Sequence, residues 1–260
     1  MQTTAGLSAP EAYLLMSLPG CVPSKALKLG FMGLVAQGIL QLDIEDRAGL
    51  IRTRHIPHLR VAADLLTPLP PVAASYVKVV RGAEPQGLIK DVLAQCRREY
   101  GGNLLGVMRP CLGPALMARG LAEPYRRRIL GVFSAHSFRR TPAGESEKIK
   151  LEGLMRDARS IPDYLDRDPA QAAALVAALG GAILLVEELR PHYRALGLAL
   201  RDRDTGGYVD ATSWDTGDHG GLFDFSGVDF SCFDSGAFDS FDAGFSDGGG
   251  GDGDSGSSGC

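Results

Sequence analysis

Apolar residues recur along the first sixty positions in two different periods. Tyr13, Leu14, Leu15 and Met16 follow Pro10, which suits the first turn of a short helix. Leu27, Phe31, Leu34 and Val35 stand at i, i+4, i+7 and i+8, one face of a second helix that Ser24 can cap and Gly38 can end. Leu40, Leu42 and Ile44 then alternate with polar residues, the polar stretch from Glu45 to Gly49 predicts a turn, and Ile51 and Thr53 continue a return strand. A hairpin over 39–55 after two helices is the winged-helix plan.

The same pattern returns downstream. Leu34-Val-Ala-Gln-Gly38-Ile39 is echoed by Leu116-Met-Ala-Arg-Gly120-Leu121, and each Gly is followed by β-prone residues. A second wing is expected from Ile129 to Arg140, with Pro110 and Pro114 disturbing the helix before it. Thr141 as cap and Pro142 as first residue start another helix, with Ile149, Leu151, Leu154 and Met155 as its apolar positions. Asp168-Pro169 opens an Ala-rich helix expected to reach about Leu189, and 72–80 and 87–99 also read as helical. Thr67-Pro-Leu-Pro-Pro71 reads as a linker.

The fold expected is mainly α with small β-hairpins: two winged-helix-like units near 9–58 and 95–145, plus the Ala-rich helix. The domain boundaries expected are 1–66 for the first unit, 67–204 for the linker helices, second unit and Ala-rich helix, and 205–260 for a tail. Periodicity ends at about Leu200, and the last basic residue is Arg203. Seven of the ten Phe lie beyond it, at 223, 225, 230, 233, 238, 241 and 245, among Asp, Ser and Gly. Such a segment buries too little apolar surface to offset its ordering entropy, so a disordered tail is predicted.

Charge sharpens that division. The chain carries a net charge of −4, yet 205–260 hold eleven Asp and no Lys or Arg, which leaves a formal +7 on 1–204. A basic body and an acidic tail attract each other at low ionic strength. The expected landing place is the basic cluster Arg126, Arg127 and Arg128 with Arg139 and Arg140, which flanks the second wing. A winged helix on nucleic acid would set such residues against phosphates. The first recognition-helix candidate offers only Lys25 and Lys28, however, so nucleic acid is a minor expectation.

The remaining chemistry is thin. Gly251-Asp-Gly253-Asp-Ser-Gly256 matches GxGxxG but lacks the strand and helix that a dinucleotide site requires. His55 and His58 are the one close His pair; with Pro57 between them and no Cys or carboxylate adjacent, they read as linker surface, not metal ligands. Cys96 and Cys111 read as packing residues. No metal site, cofactor or catalytic residue is expected. The five Cys form no CxxC pair and, with no signal peptide at Met1 to Ala9, suggest reduced thiols in a cytoplasmic protein. The apolar run Ala172 to Val186 has 15 residues and reads as a core helix, not a bilayer span.

Gly6-Leu-Ser-Ala-Pro-Glu-Ala-Tyr-Leu14, the run Ala26 to Leu42, the Arg139-Arg-Thr-Pro-Ala-Gly144 motif and the Gly-rich end resemble a bacterial family of predicted membrane proteins of unknown function. The cytosolic part of that family ends in a glycine-rich tail. The resemblance implies a winged-helix-like fold and no catalytic residues. The family's central transmembrane helices have no counterpart here, where Tyr125 to Phe138 is charged. The Leu-rich early helix and Ala-rich late helix also resemble Golgi-phosphoprotein-type lipid-binding proteins, which keeps peripheral membrane contact among the partner expectations.

The function expected is that of a non-enzymatic interaction or regulatory protein. Phe225, Phe230, Phe233, Phe238, Phe241 and Phe245 would contact a protein partner. Alternatively, the tail is the substrate of a modifying enzyme, with Cys232 and Cys260 as the thiols at stake, or the body is a nucleic-acid-binding regulator.

Overall fold

Helix α1 (Ala9–Ser17) begins where Ser8 meets Glu11: the carboxylate accepts from the Ser8 amide at 2.8 Å and from its hydroxyl at 2.5 Å. That local box starts the helix one residue before Pro10. This computed structural model of the chain describes residues 6–197 apart from 48–53, 64–67, 103 and 130–132, together with Phe230 and Phe233. Helix α2 (Pro23–Ala36) ends at Gly38, whose φ of +68° only Gly adopts without strain. There the Gly38 amide donates to the Val35 carbonyl at 3.0 Å and the Ile39 amide to Leu34 at 3.0 Å.

Strands β1 (Leu40–Arg47) and β2 (Arg54–Val61) pair antiparallel from Leu40↔Val61 to Arg47↔Arg54. The hairpin is longer than expected, because β2 continues through His55, Pro57 and His58 to Val61; the expected return residues Ile51 and Thr53 lie outside the described residues. Buried Leu59 holds this extension in the core, and its amide donates to Gly87 at 2.7 Å. Helices α3 (Pro71–Arg81) and α4 (Ile89–Tyr100) follow.

The short helices α5 (Leu105–Val107) and α6 (Gly113–Ala118) flank a π-helical turn at Met108–Leu112. The chain thus absorbs Pro110 by widening the helix instead of ending it. Gly120 repeats the earlier joint: φ is +70°, its amide donates to Met117 at 2.9 Å, and Leu121 donates to Leu116 at 2.9 Å. Strands β3 (Ala122–Ile129) and β4 (Phe133–Arg140) then pair from Ala122↔Arg140 to Ile129↔Phe133. The expected wing, Ile129 to Arg140, therefore covers only the tip and the return strand.

Helix α7 (Pro142–Ala158) starts as expected, with Thr141 Oγ1 accepting from the Gly144 amide at 3.0 Å. Helix α8 (Ile161–Arg167), which was not expected, precedes α9 (Pro169–Leu179), whose cap Asp168 accepts from the Ala170 and Gln171 amides at 3.1 Å each. The Ala-rich helix stops at Leu179, ten residues short of the expected end, and 3₁₀ turns follow over Gly180–Leu185 and Glu187–His192. The cause is close approach: a Cβ on Gly181 would lie 2.7 Å from the Ala9 amide, so the turn rests directly on the start of α1.

The architecture is mainly α with two small antiparallel hairpins, around a hydrophobic core drawn from α1 through Leu196. Fully buried Tyr76 is one hub, with its hydroxyl donating to the Ala26 carbonyl at 3.2 Å and its ring edge-on to Phe31 at 5.3 Å. The apolar run Ala172 to Val186 is divided between α9 and the turn after it, with Val176, Leu179, Ile183 and Leu184 buried. No single helix among the described residues is long and apolar enough to cross a membrane; Pro169–Leu185 and Glu187–Gly197 pass by composition only as a pair bent by 115°.

Candidate functional site

Two arginines of the basic cluster, Arg139 and Arg140, do not share a face. Along a strand, neighbouring side chains leave by opposite faces, so Arg139 and Arg140 diverge. Arg139 is 61% exposed; its Nε donates to Glu123 at 2.5 Å, and its cation lies 5.6 Å from the centre of the Tyr125 ring. Arg140 is only 18% exposed and donates inward, from Nη1 to the carbonyls of Leu15 at 3.0 Å and Leu18 at 2.7 Å, and from Nε to Glu145 at 2.5 Å. It ties the end of β4 to the end of α1 and the start of α7. Arg126 is exposed opposite His136. Arg127 and Arg128 sit opposite Ala135 and Ser134 in the register, and their side chains lie outside the described residues. Hydrogen bonding from Arg140 holds the Glu145 carboxyl below its ordinary range.

The pair His55 and His58 also departs from expectation. His58 is buried in β2, not displayed on a linker. Its Nδ1 lies 2.7 Å from the Gln86 carbonyl and its Nε2 lies 3.2 Å from Glu45, a carboxylate supplied by the facing strand. Through the Nδ1 contact with Gln86, His58 clamps the first hairpin to the turn before α4, while Nε2 makes no hydrogen bond among the described residues. Beside it is an open cleft of about 720 Å³, where Arg47, Arg60 and Lys90 face Glu45 among Pro85, Leu88 and Ile89. No group of three or more metal-ligating side chains occurs among the described residues.

A sulfur and hydroxyl cluster gathers around the π-helical turn. Cys21 Sγ is 3.8 Å from Met108 Sδ, Cys111 Sγ is 3.2 Å from Ser75 Oγ, and Ser75 Oγ is 2.7 Å from the Tyr100 hydroxyl. The Tyr100 hydroxyl donates in turn to the Ser75 carbonyl at 3.0 Å. Burial pushes the Cys21 thiol up to about 12 and raises the Cys96 thiol and the Tyr76 and Tyr100 hydroxyls as well. The thiolate is the reactive form of cysteine. At pH 8 a thiol held that high is almost wholly protonated. Alkylation of Cys21 in the native chain should therefore run about a thousandfold slower than in the unfolded chain, read by quantitative peptide mass spectrometry. Equal rates would show that the thiol is not buried as described.

The C-terminal segment meets the body at Tyr193. Phe230 is 6% exposed and Phe233 is 1% exposed, and both belong to the body's hydrophobic core. The rings of Phe230 and Tyr193 are edge-to-face at 5.8 Å, and those of Phe230 and Phe233 are tilted at 6.2 Å. The Phe233 amide donates to the Phe230 carbonyl at 3.0 Å, closing a turn between them. The Tyr193 hydroxyl donates to the Ile183 carbonyl at 3.3 Å, which fixes that ring from below. Two of the six expected contact residues are thus seated in the body itself, at Tyr193. Two phenylalanines three residues apart bury enough surface to hold a short turn, which an argument from average tail composition overlooks. Phe225, Phe238, Phe241 and Phe245 lie outside the described residues, as do Cys232 and Cys260.

Tyr193 was not singled out by sequence reasoning. Its one signal is spacing: it stands four residues after Leu189 and three before Leu196 in an otherwise polar stretch. No family model matches this chain, and no curated protein is significantly similar to it.

Proposed function

We propose that the chain is a non-enzymatic interaction protein, a helical body with two hairpins whose Phe-Asp elements engage other proteins. One observation carries the reading: Phe230 and Phe233, from a segment rich in Asp, Ser and Gly, are buried on a protein surface. Each buried Phe contributes about 1.5–3 kcal/mol, whereas ordering each residue of the turn costs about 1–2 kcal/mol. The two sums are comparable, so a short element of this kind binds and exchanges. Phe225, Phe238, Phe241 and Phe245 repeat the same side chain with the same Asp, Ser and Gly neighbours.

The arginines favour this reading over nucleic acid. Arg140 is committed to carbonyls of α1 and Arg139 to Glu123, which removes two cations from any row facing phosphates. A cytoplasmic setting fits the three described cysteines, all of them free thiols.

Cross-linking in the native host tests the proposal. Replacing Phe238, Phe241 and Phe245 with Ser together should reduce the cross-linked partner about tenfold or more, with thermal stability unchanged. An identical set of cross-links in wild type and variant would remove the basis for the reading.

A further inference from the structure

We propose that the face of the body at Tyr193 is a docking site for an acidic Phe-x-x-Phe turn, and that the chain's own Phe230 to Phe233 segment occupies it in cis. The inference rests on the reading of the Phe-bearing segment as a recognition element and adds the receptor and its resting state.

Tyr193 is buried, with its hydroxyl spent on the Ile183 carbonyl, so the ring has no polar need of its own and offers an aromatic edge or face. Leu189, Ile183 and Leu196 are buried in the same stretch. An edge-to-face ring at 5.8 Å is the arrangement that aromatic quadrupoles favour. A spacing of three matters because the turn closed by the Phe233 amide and Phe230 carbonyl brings the two rings to 6.2 Å of each other. A different spacing would direct one ring away from the site. Asp229 and Asp234 flank the two phenylalanines in sequence, but Arg190 near Tyr193 is paired with Glu187 at 3.8 Å, so ring packing and not charge carries the contact.

Occupant and site share one chain, which makes the contact intramolecular. Tethers of this kind give an effective concentration in the millimolar range. A free segment of equal quality therefore has to compete with a millimolar rival. The body is closed to outside Phe-x-x-Phe segments until its own is withdrawn.

The test uses the full chain and a labelled peptide of residues 226–237 with Cys232→Ser, followed by fluorescence anisotropy. The Phe230→Ser/Phe233→Ser chain should bind the peptide at least about tenfold more tightly than wild type, which the tethered segment protects. Tight and equal binding to both chains would overturn cis occupancy, and binding to neither would overturn the site. A wild-type dimer that the double substitution dissociates would assign the occupant to a second copy and overturn the cis assignment. Hydrogen exchange on unmodified protein decides the matter if the variant does not fold. The Phe233 amide should exchange at least about tenfold more slowly than the amides of 238–247, and equal rates would overturn the proposal. Loss of the site with partner cross-links through Phe238, Phe241 and Phe245 intact would leave the proposed function standing.

Discussion

Arg140→Ala is expected to destabilise the chain by about 3 kcal/mol, whereas Arg139→Ala, one position earlier, should cost less than about 1 kcal/mol. The two residues look alike in sequence but have opposite surroundings. Arg140 supplies charge-assisted hydrogen bonds to the carbonyls of Leu15 and Leu18, acceptors at the C-terminal end of α1. Alanine would leave those carbonyls short of a donor in a part-buried place. For a body of this size the loss corresponds to about 6–12 °C in Tm. Arg140→Lys should recover only part of it, because an ammonium cannot span two carbonyls and a carboxylate with a planar fork. Equal melting temperatures for the Arg139 and Arg140 variants would refute the assignment.

The Glu145 arm of this tie has a defined pH dependence. Its carboxyl is held below the ordinary value by hydrogen bonding from Arg140, so its contribution is complete above the ordinary carboxylate range. The contribution is lost as pH falls through the lowered folded-state value. Glu145→Gln should therefore differ from wild type at neutral pH and converge with it in acid.

Gly144→Ala should have an equally large effect, about 3 kcal/mol or more, with failure to fold as the extreme outcome. A Cβ at Gly144 would stand 2.0 Å from the Leu121 carbonyl oxygen and 2.9 Å from its carbon. Both are backbone atoms, and that oxygen already accepts from the Thr141 amide at 3.2 Å. Retreat of the Leu121 backbone would break the joint between the second hairpin and α7. Gly153 lies farther along the same helix with nothing within 4 Å of an added Cβ. Gly153→Ala should therefore stabilise the chain, by up to about 1 kcal/mol. Denaturant melts of the two variants give opposite signs if close approach, not helix propensity, governs Gly144.

The parts of the fold that were legible in the sequence are those set by neighbours along the chain. Thr141-Pro142 and Asp168-Pro169 start helices because a side-chain oxygen reaches amides two or three residues ahead. Gly38 and Gly120 end helices because each adopts positive φ, whatever surrounds it. The misreadings involve distant partners. Gly181 looks like an ordinary member of an Ala-rich helix until the start of α1 is laid against it, and Gly180 until it turns to a φ of +51° just before that contact. His58 looks solvent-exposed beside Pro57 until the facing strand brings Glu45 within 3.2 Å. Arg140 was grouped with its neighbours by charge, although burial separates it from them. At the candidate site the phenylalanines were visible as a pattern, but Tyr193 was not, because nothing local distinguishes a tyrosine that receives another ring.

Both hairpins are two-stranded, and that has a consequence for behaviour at high concentration. A two-stranded sheet leaves its outer rows of amides and carbonyls open to lateral growth with another chain. In the first hairpin the outer row of β2 is partly taken by the turn before α4, through the Leu59 amide and a bridge between His58 and Leu88. Pro57 in β2 and Pro124 in β3 each remove a donor, and Asp43, Glu45, Asp46 and Arg47 crowd β1 with charge. Proline and charge on open strands are how sheets resist fibril nucleation. The hairpins can therefore project from the helical body without templating aggregation.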